Sequence, residues 1–231
     1  MTDVAAHVGL DSANRDFCHL LYLRSVPRED IRPRPYCSSP VAIDQLDGTS
    51  TSRGTLRLAW ARKGRFPEEQ DALVIIEESG QPVIRAKYFG GRPSARIPPW
   101  IEAGVARDDE GFLRELVAIL AQLLPPGGRL MVVYGDDETE RGLKRGFPPV
   151  VTPLGAALYA AGCTWLKDWY YPEGWSEGEL KLQGNKPVSE EARQAGLASL
   201  CQEVRRWLAG EREDDELVRR ARQRASALFG E

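Results

Sequence analysis

The sequence predicts an α/β fold with a mixed sheet, antiparallel at its ends and parallel in its middle. Three observations carry this expectation. Residues 72–76 (ALVII) and 130–134 (LMVVY) are continuous apolar runs, as expected of strands covered on both faces. Between a strand at 82–89 and the second of these runs, Phe112, Leu116, Val117, Leu120 and Leu124 recur at the 3.6-residue period of an amphipathic helix, so strand, helix and strand form a right-handed βαβ crossover. Toward the C-terminus, residues 164–171 and 179–183 read as two strands around a tight loop, a terminal hairpin.

Composition is consistent with a globular chain. Its 231 residues carry 31 basic and 34 acidic side chains, a net charge of −3, with 42% apolar residues. Such a near-neutral balance disfavours a general nucleic-acid or membrane-surface binder. No stretch approaches the ~20 apolar residues that cross a bilayer, and the first ten residues lack a basic region ahead of an apolar block. A cytoplasmic protein is expected. Cys18, Cys37, Cys163 and Cys201 show no metal-ligand spacing, and His7 and His19 are confined to the N-terminal segment. No metal site is expected.

Taken in order, residues 11–26 place Phe17, Leu20, Leu21 and Val26 at helical spacing before Pro27. Residues 28–54, rich in proline and small polar residues, read as an irregular connection with a short strand at 41–43. Leu56, Leu58 and Trp60 alternate with Thr55, Arg57 and Ala59, giving a first strand. The run at 72–76 follows, then Ser79-Gly80-Gln81 turns into a third strand at 82–89. The crossover helix takes Asp108 or Asp109 as its N-cap and stops at Pro125-Pro126-Gly127. After the strand at 130–134, Thr152 caps a second crossover helix with Pro153 in its first turn and Gly162 at its end. Beyond the hairpin, helices are expected at 189–208, with Leu197, Leu200, Val204 and Leu208 facing the domain, and at 214–229. The organisation is therefore an N-terminal helix and connection (1–54), an α/β core (55–187) and a C-terminal helical extension (188–231).

Three constellations could carry function. Gly90, Gly91, Arg92, Ser94 and Arg96 follow a strand, where ligands of open α/β sheets collect, and suit a phosphate or carboxylate. A basic surface loop pairing with residues 108–110 is the plainer alternative. Asp136, Asp137, Glu138 and Glu140 also follow a strand; N-capping of a short helix running to Arg145 is favoured over cation binding. Lys144 and Arg145 there form a second basic, glycine-flanked anion site. Around the hairpin loop, Trp169, Tyr171, Glu173 and Trp175 combine aromatic rings with carboxylate, a wall suited to an amine-bearing substrate. The alternative is that the C-terminal helices cover that face.

Two resemblances follow. The element order over residues 55–186, with a helix ending Leu158-Tyr159-Ala160-Ala161-Gly162-Cys163, resembles the GCN5-related N-acetyltransferase fold. The segments TPLG (152–155), KDWYYPEGW (167–175) and KLQGNKP (181–187) resemble the domain of unknown function 1122 family, grouped with acetyltransferase-like folds. The first resemblance implies an acyl-CoA cofactor held by Gly90–Arg96, Lys144 and Arg145. It also implies acyl transfer to an amine, with Glu77 or Asp168 as base and Tyr159 or Tyr170 as acid. Acetyltransferases cradle the CoA pyrophosphate on the free N–H groups opening their central helix. Here that helix opens with Asp108-Asp109-Glu110, which motivates the alternative of a non-catalytic protein binding a small molecule, or a homodimer, on the same fold.

Overall fold

The computed structural model describes residues 43–61, 69–76, 80, 82–89, 98–105, 109–133, 137–170 and 180–230. Contacts divide the chain into two compact units, Met1–Ala106 and Arg107–Glu231. The expected N-terminal helix at 11–26 lies outside the described residues, as does most of the strand expected at 41–43; its last residue, Ile43, begins a 3-10 turn, Ile43–Leu46.

The first unit is an antiparallel meander of five strands: β1 (Ser50–Thr51), β2 (Gly54–Ala61), β3 (Glu69–Ile76), β4 (Pro82–Phe89) and β5 (Trp100–Val105). β2, β3 and β4 match the expected strands, and the ladder between β3 and β4 shifts register between Val74 and Ile75. β5 corrects the sequence reading, which left this stretch unassigned. Pro98 and Pro99 resemble a loop, yet Ile101 and Ala103 alternate inward and are fully buried, the pattern of a strand with one covered face. Leu46, at the end of the 3-10 turn, is buried too, and Asp47 Oδ1 accepts the Leu58 N–H at 3.1 Å, which ties the turn to β2.

The second unit holds α1 (Glu110–Gln122), β6 (Arg129–Val133), α2 (Asp137–Lys144), a 3-10 turn (Pro149–Val151), α3 (Pro153–Ala160), β7 (Trp165–Tyr170), β8 (Leu180–Asn185), α4 (Glu190–Gly210) and α5 (Glu216–Phe229). Every expected helix of this unit is present. Asp109 caps α1, its Oδ1 accepting the Phe112 N–H at 2.9 Å. At the other end of α1, Lys186 Nζ donates to the Ala121 and Leu124 carbonyls at 3.2 and 2.8 Å, placing a cation at the negative end of the helix. Thr152 caps α3 by accepting the Gly155 N–H at 3.2 Å. Gly155 is obligatory, because any Cβ there would lie inside the Pro149 carbonyl.

Strand placement differs from expectation in one respect. Two consecutive crossovers predict β6 and β7 as parallel neighbours, but β8 lies between them, antiparallel to both. The reason is steric. Gly184 of β8 sits where an added Cβ would come within 2.8 Å of Cys163 Sγ, and Leu182 beside it is fully buried, so β8 fills the tight central lane. β7 carries exposed Lys167 and Asp168 and takes the outer lane.

The two faces of this three-stranded sheet differ. One presents Leu130, Val132, Leu182 and Leu166 to the helices. There Phe147, Val150, Val151, Leu200, Val204, Val218 and Ala225 form an apolar cluster under α4 and α5, joined at its margin by Tyr159, Leu166 and Phe229. Leu200 and Val204 are thus buried as the α4 stripe predicted. No helix among the described residues is long and apolar enough to cross a membrane.

Candidate functional site

The helix side of the second unit is organised by ion pairs. Arg224 of α5 is 8% exposed. Its Nη2 donates to Glu110 Oε2 at 2.9 Å and its Nε to Oε1 of the same carboxylate at 3.1 Å, a two-pronged contact that suits the planar guanidinium. Its Nη1 reaches the Val151 carbonyl at 3.4 Å and lies 2.6 Å from Glu138 Oε1. That last contact is an ion pair without hydrogen-bond alignment, since this oxygen has no hydrogen-bond partner. Arg220 meets the other Glu138 oxygen at 3.3 Å. Burial works against the Glu110 charge, but the Arg224 hydrogen bonds and charge, followed by Arg114, hold its carboxyl below the ordinary 4.5.

This arrangement engages most of the predicted acidic and basic positions that are described. Glu138 and Glu140 lie on α2, the short helix favoured for them, and Glu140 pairs with Lys144 one turn on. Arg145 donates to Glu213 at 2.6 Å and to Asp215, the N-cap of α5, at 2.7 Å, with its guanidinium 5.0 Å above the Phe147 ring. Of the four cations proposed for a cofactor, the two that are described, Lys144 and Arg145, are therefore tied to carboxylates of the chain itself. Among the described residues no cluster suited to a metal ion is found.

Tyr159, a candidate acid, packs on the apolar cluster with its ring 5.3 Å from that of Phe229. Burial raises its pKa, with the nearby Cys201 adding to the rise and Arg193 opposing it. Asp168, a candidate base, is exposed on β7. Trp169 and Tyr170 are the last two residues of that strand. Glu77, Gly90, Gly91, Arg92, Ser94, Arg96, Tyr171, Glu173 and Trp175 lie outside the described residues.

On the opposite face of the β6–β8–β7 sheet, Trp169 was singled out from sequence, and the positions on β6 and β8 were not. Register aligns three rows across it: Arg129, Asn185 and Trp165; Met131, Gln183 and Lys167; Val133, Lys181 and Trp169. Lys181 and Gln183 are each 4% exposed, and Gln183 Nε2 donates to Asn185 Oδ1 at 2.6 Å. At the outer lane Lys167 is exposed and Trp165 is 46% exposed. The signal was available: Lys181, Gln183 and Asn185 recur at period two against Leu182 and Gly184.

Comparison with known proteins follows the sequence resemblance. The profile of DUF1122, described as a protein of unknown function, matches residues 52–211. Among solved structures, a protein of unknown function from Aquifex aeolicus VF5, AQ1966, is 30% identical. The match covers 81% of this chain and 94% of that one, with a TM-score of 0.64. No curated protein matches.

Proposed function

The chain belongs to the DUF1122 family, and we propose that it is a non-catalytic binding protein for a small molecule, built on an acetyltransferase-like scaffold. The scaffold reading is supported by the return of the last strand, β8, between β6 and β7, with α1 and α3 packed against each other in the same unit. One observation carries the choice against CoA-dependent chemistry. The first turn of α1 is where an acetyltransferase would present free N–H groups to a pyrophosphate. Here Asp109 takes the Phe112 N–H, and Glu110 is clamped by buried Arg224. A pyrophosphate approaching that turn meets two carboxylates, one already holding the guanidinium groups of Arg224 and Arg114.

Acyl transfer from acyl-CoA to an amine remains the second reading, favoured by the same strand order. In it Glu77 or Asp168 serves as base and Tyr159 or Tyr170 as acid, and it requires the cofactor to bind away from α1. A homodimer through the outer edge of β7 is less well supported. Two-fold pairing centred on that strand sets Lys167 against its own copy, or Asp168 against its own copy, a like-charge opposition that guards strand edges. Calorimetric titration of the full chain with acetyl-CoA tests the proposal. No saturable heat is expected at millimolar ligand, and saturable binding would overturn it.

A further inference from the structure

The C-terminal helix α5 is attached to the second unit differently from α1 and α3. α1 buries Phe112, Leu116, Val117 and Leu120, and α3 buries Leu154 and Leu158, so large apolar side chains fix both. α5 buries four apolar residues, Leu217, Val218, Ala221 and Ala225, and two of these have only a methyl group to cover. Its fifth buried residue is Arg224.

Three arginines link this segment to the elements before it. Arg224 holds Glu110 of α1 and Glu138 of α2, and Arg220 meets Glu138 as well. From the end of α2, Arg145 reaches Glu213 and Asp215. The connection between α4 and α5, residues 211–215, is bonded to α5 itself. Arg222 Nη1 donates to Asp214 Oδ1 at 3.1 Å, and Asp215 caps the helix by accepting the Val218 N–H at 2.9 Å. The side chains of Glu213 and Asp215 are exposed, so salt reaches the Arg145 contacts directly. The family match, residues 52–211, stops where this connection begins.

We propose that α5 is a strap held by charge. Together with residues 212–215 it undocks as one unit while the rest of the second unit stays folded, and the pairs of Arg145, Arg220 and Arg224 set how often it opens. Opening uncovers Phe147, Val150, Val151 and Val204 and frees Glu110 and Glu138. The strap operates whatever ligand the protein takes.

Hydrogen–deuterium exchange of the full chain at one pH, followed by mass spectrometry, tests it. The readout is the exchange rate of α5 peptides divided by that of α3 peptides, each corrected for its intrinsic rate. Raising sodium chloride from about 0.01 M to about 1 M shortens the screening length from about 30 Å to about 3 Å. The ratio should exceed one in low salt and rise about tenfold in high salt, because screening opens the strap and leaves α3 in place. Arg145→Gln should fold normally, start from a higher ratio and respond less to salt. Lys144→Ala, whose cation pairs with Glu140 inside α2, should behave as the unsubstituted chain does. A ratio near one, or one that salt does not move, would overturn the assignment. So would a full salt response in Arg145→Gln.

Discussion

The two faces of the β6–β8–β7 sheet use charge in opposite ways. On the helix side, cations meet anions: Arg224 with Glu110 and Glu138, Arg145 with Glu213 and Asp215. These pairs join residues far apart in the chain and fix α5 over the second unit. On the other face the three charged side chains share one sign. Mutual neutralisation on the first face marks architecture, whereas on the second Gln183 bonds Asn185 beside buried Lys181. Substitutions at the Arg224 pairs should therefore cost stability, whereas exposed Lys167 on the other face should tolerate substitution.

The largest effect is expected at Gly155. In Gly155→Ala the new methyl collides with the Pro149 carbonyl, a backbone atom that cannot swing away. Loss of about 3 kcal/mol or more is predicted from denaturant unfolding, because overpacking against backbone has no cheap relaxation.

Next is Arg224→Met, which leaves Glu110 with Arg114 and Glu138 with Arg220 as their remaining cations. With Glu110 34% exposed at its side chain, solvent offsets part of the cost. A loss of about 2–3 kcal/mol is expected, at or below the low end for breaking a buried pair. Lys167→Ala should change stability by under about 0.5 kcal/mol. Equal losses in the two variants would erase the contrast between the faces.

Acid provides a third, smaller test. Glu110 titrates below 4.5 when folded and near 4.5 when unfolded, so its contribution is fully present above 4.5 and is lost as pH falls through the folded value. Unfolding followed from pH 6 to pH 3 should show this loss, and Glu110→Gln should flatten the profile. The smallest effect concerns Cys163, whose thiol burial pushes up to about 12. Peptide mapping after iodoacetamide treatment should find it unmodified in the native protein and alkylated once urea is added.

Much of this architecture was legible in the sequence because it rests on local pattern. The stripe of α1, the Asp109 cap, Thr152-Pro153 opening α3 and the paired strands around 171–179 are each written in adjacent residues. β5 escaped because Pro98-Pro99 and Gly104 mask a strand whose inward positions are only Ile101 and Ala103. The place of β8 was not readable, since order along the chain does not state order across a sheet, and only Gly184 against Cys163 reveals the tight lane. Arg224 lies 114 residues from Glu110, so no spacing rule joins them. Of the candidate site, Lys144 and Arg145 were read as a second basic anion site; Lys144 pairs instead with Glu140 one turn before it, and the carboxylate partners of Arg145 come from beyond α4. The alternation of Lys181, Gln183 and Asn185 was visible, yet only register with β6 and β7 turns it into a face.

Amide shift mapping by NMR during titration of the full chain with acetyl-CoA tests the central claim most directly. The account predicts no saturable shifts at Asp109, Glu110 and Gly111, where α1 begins and its first turn is already engaged. Saturable shifts gathered there would contradict it.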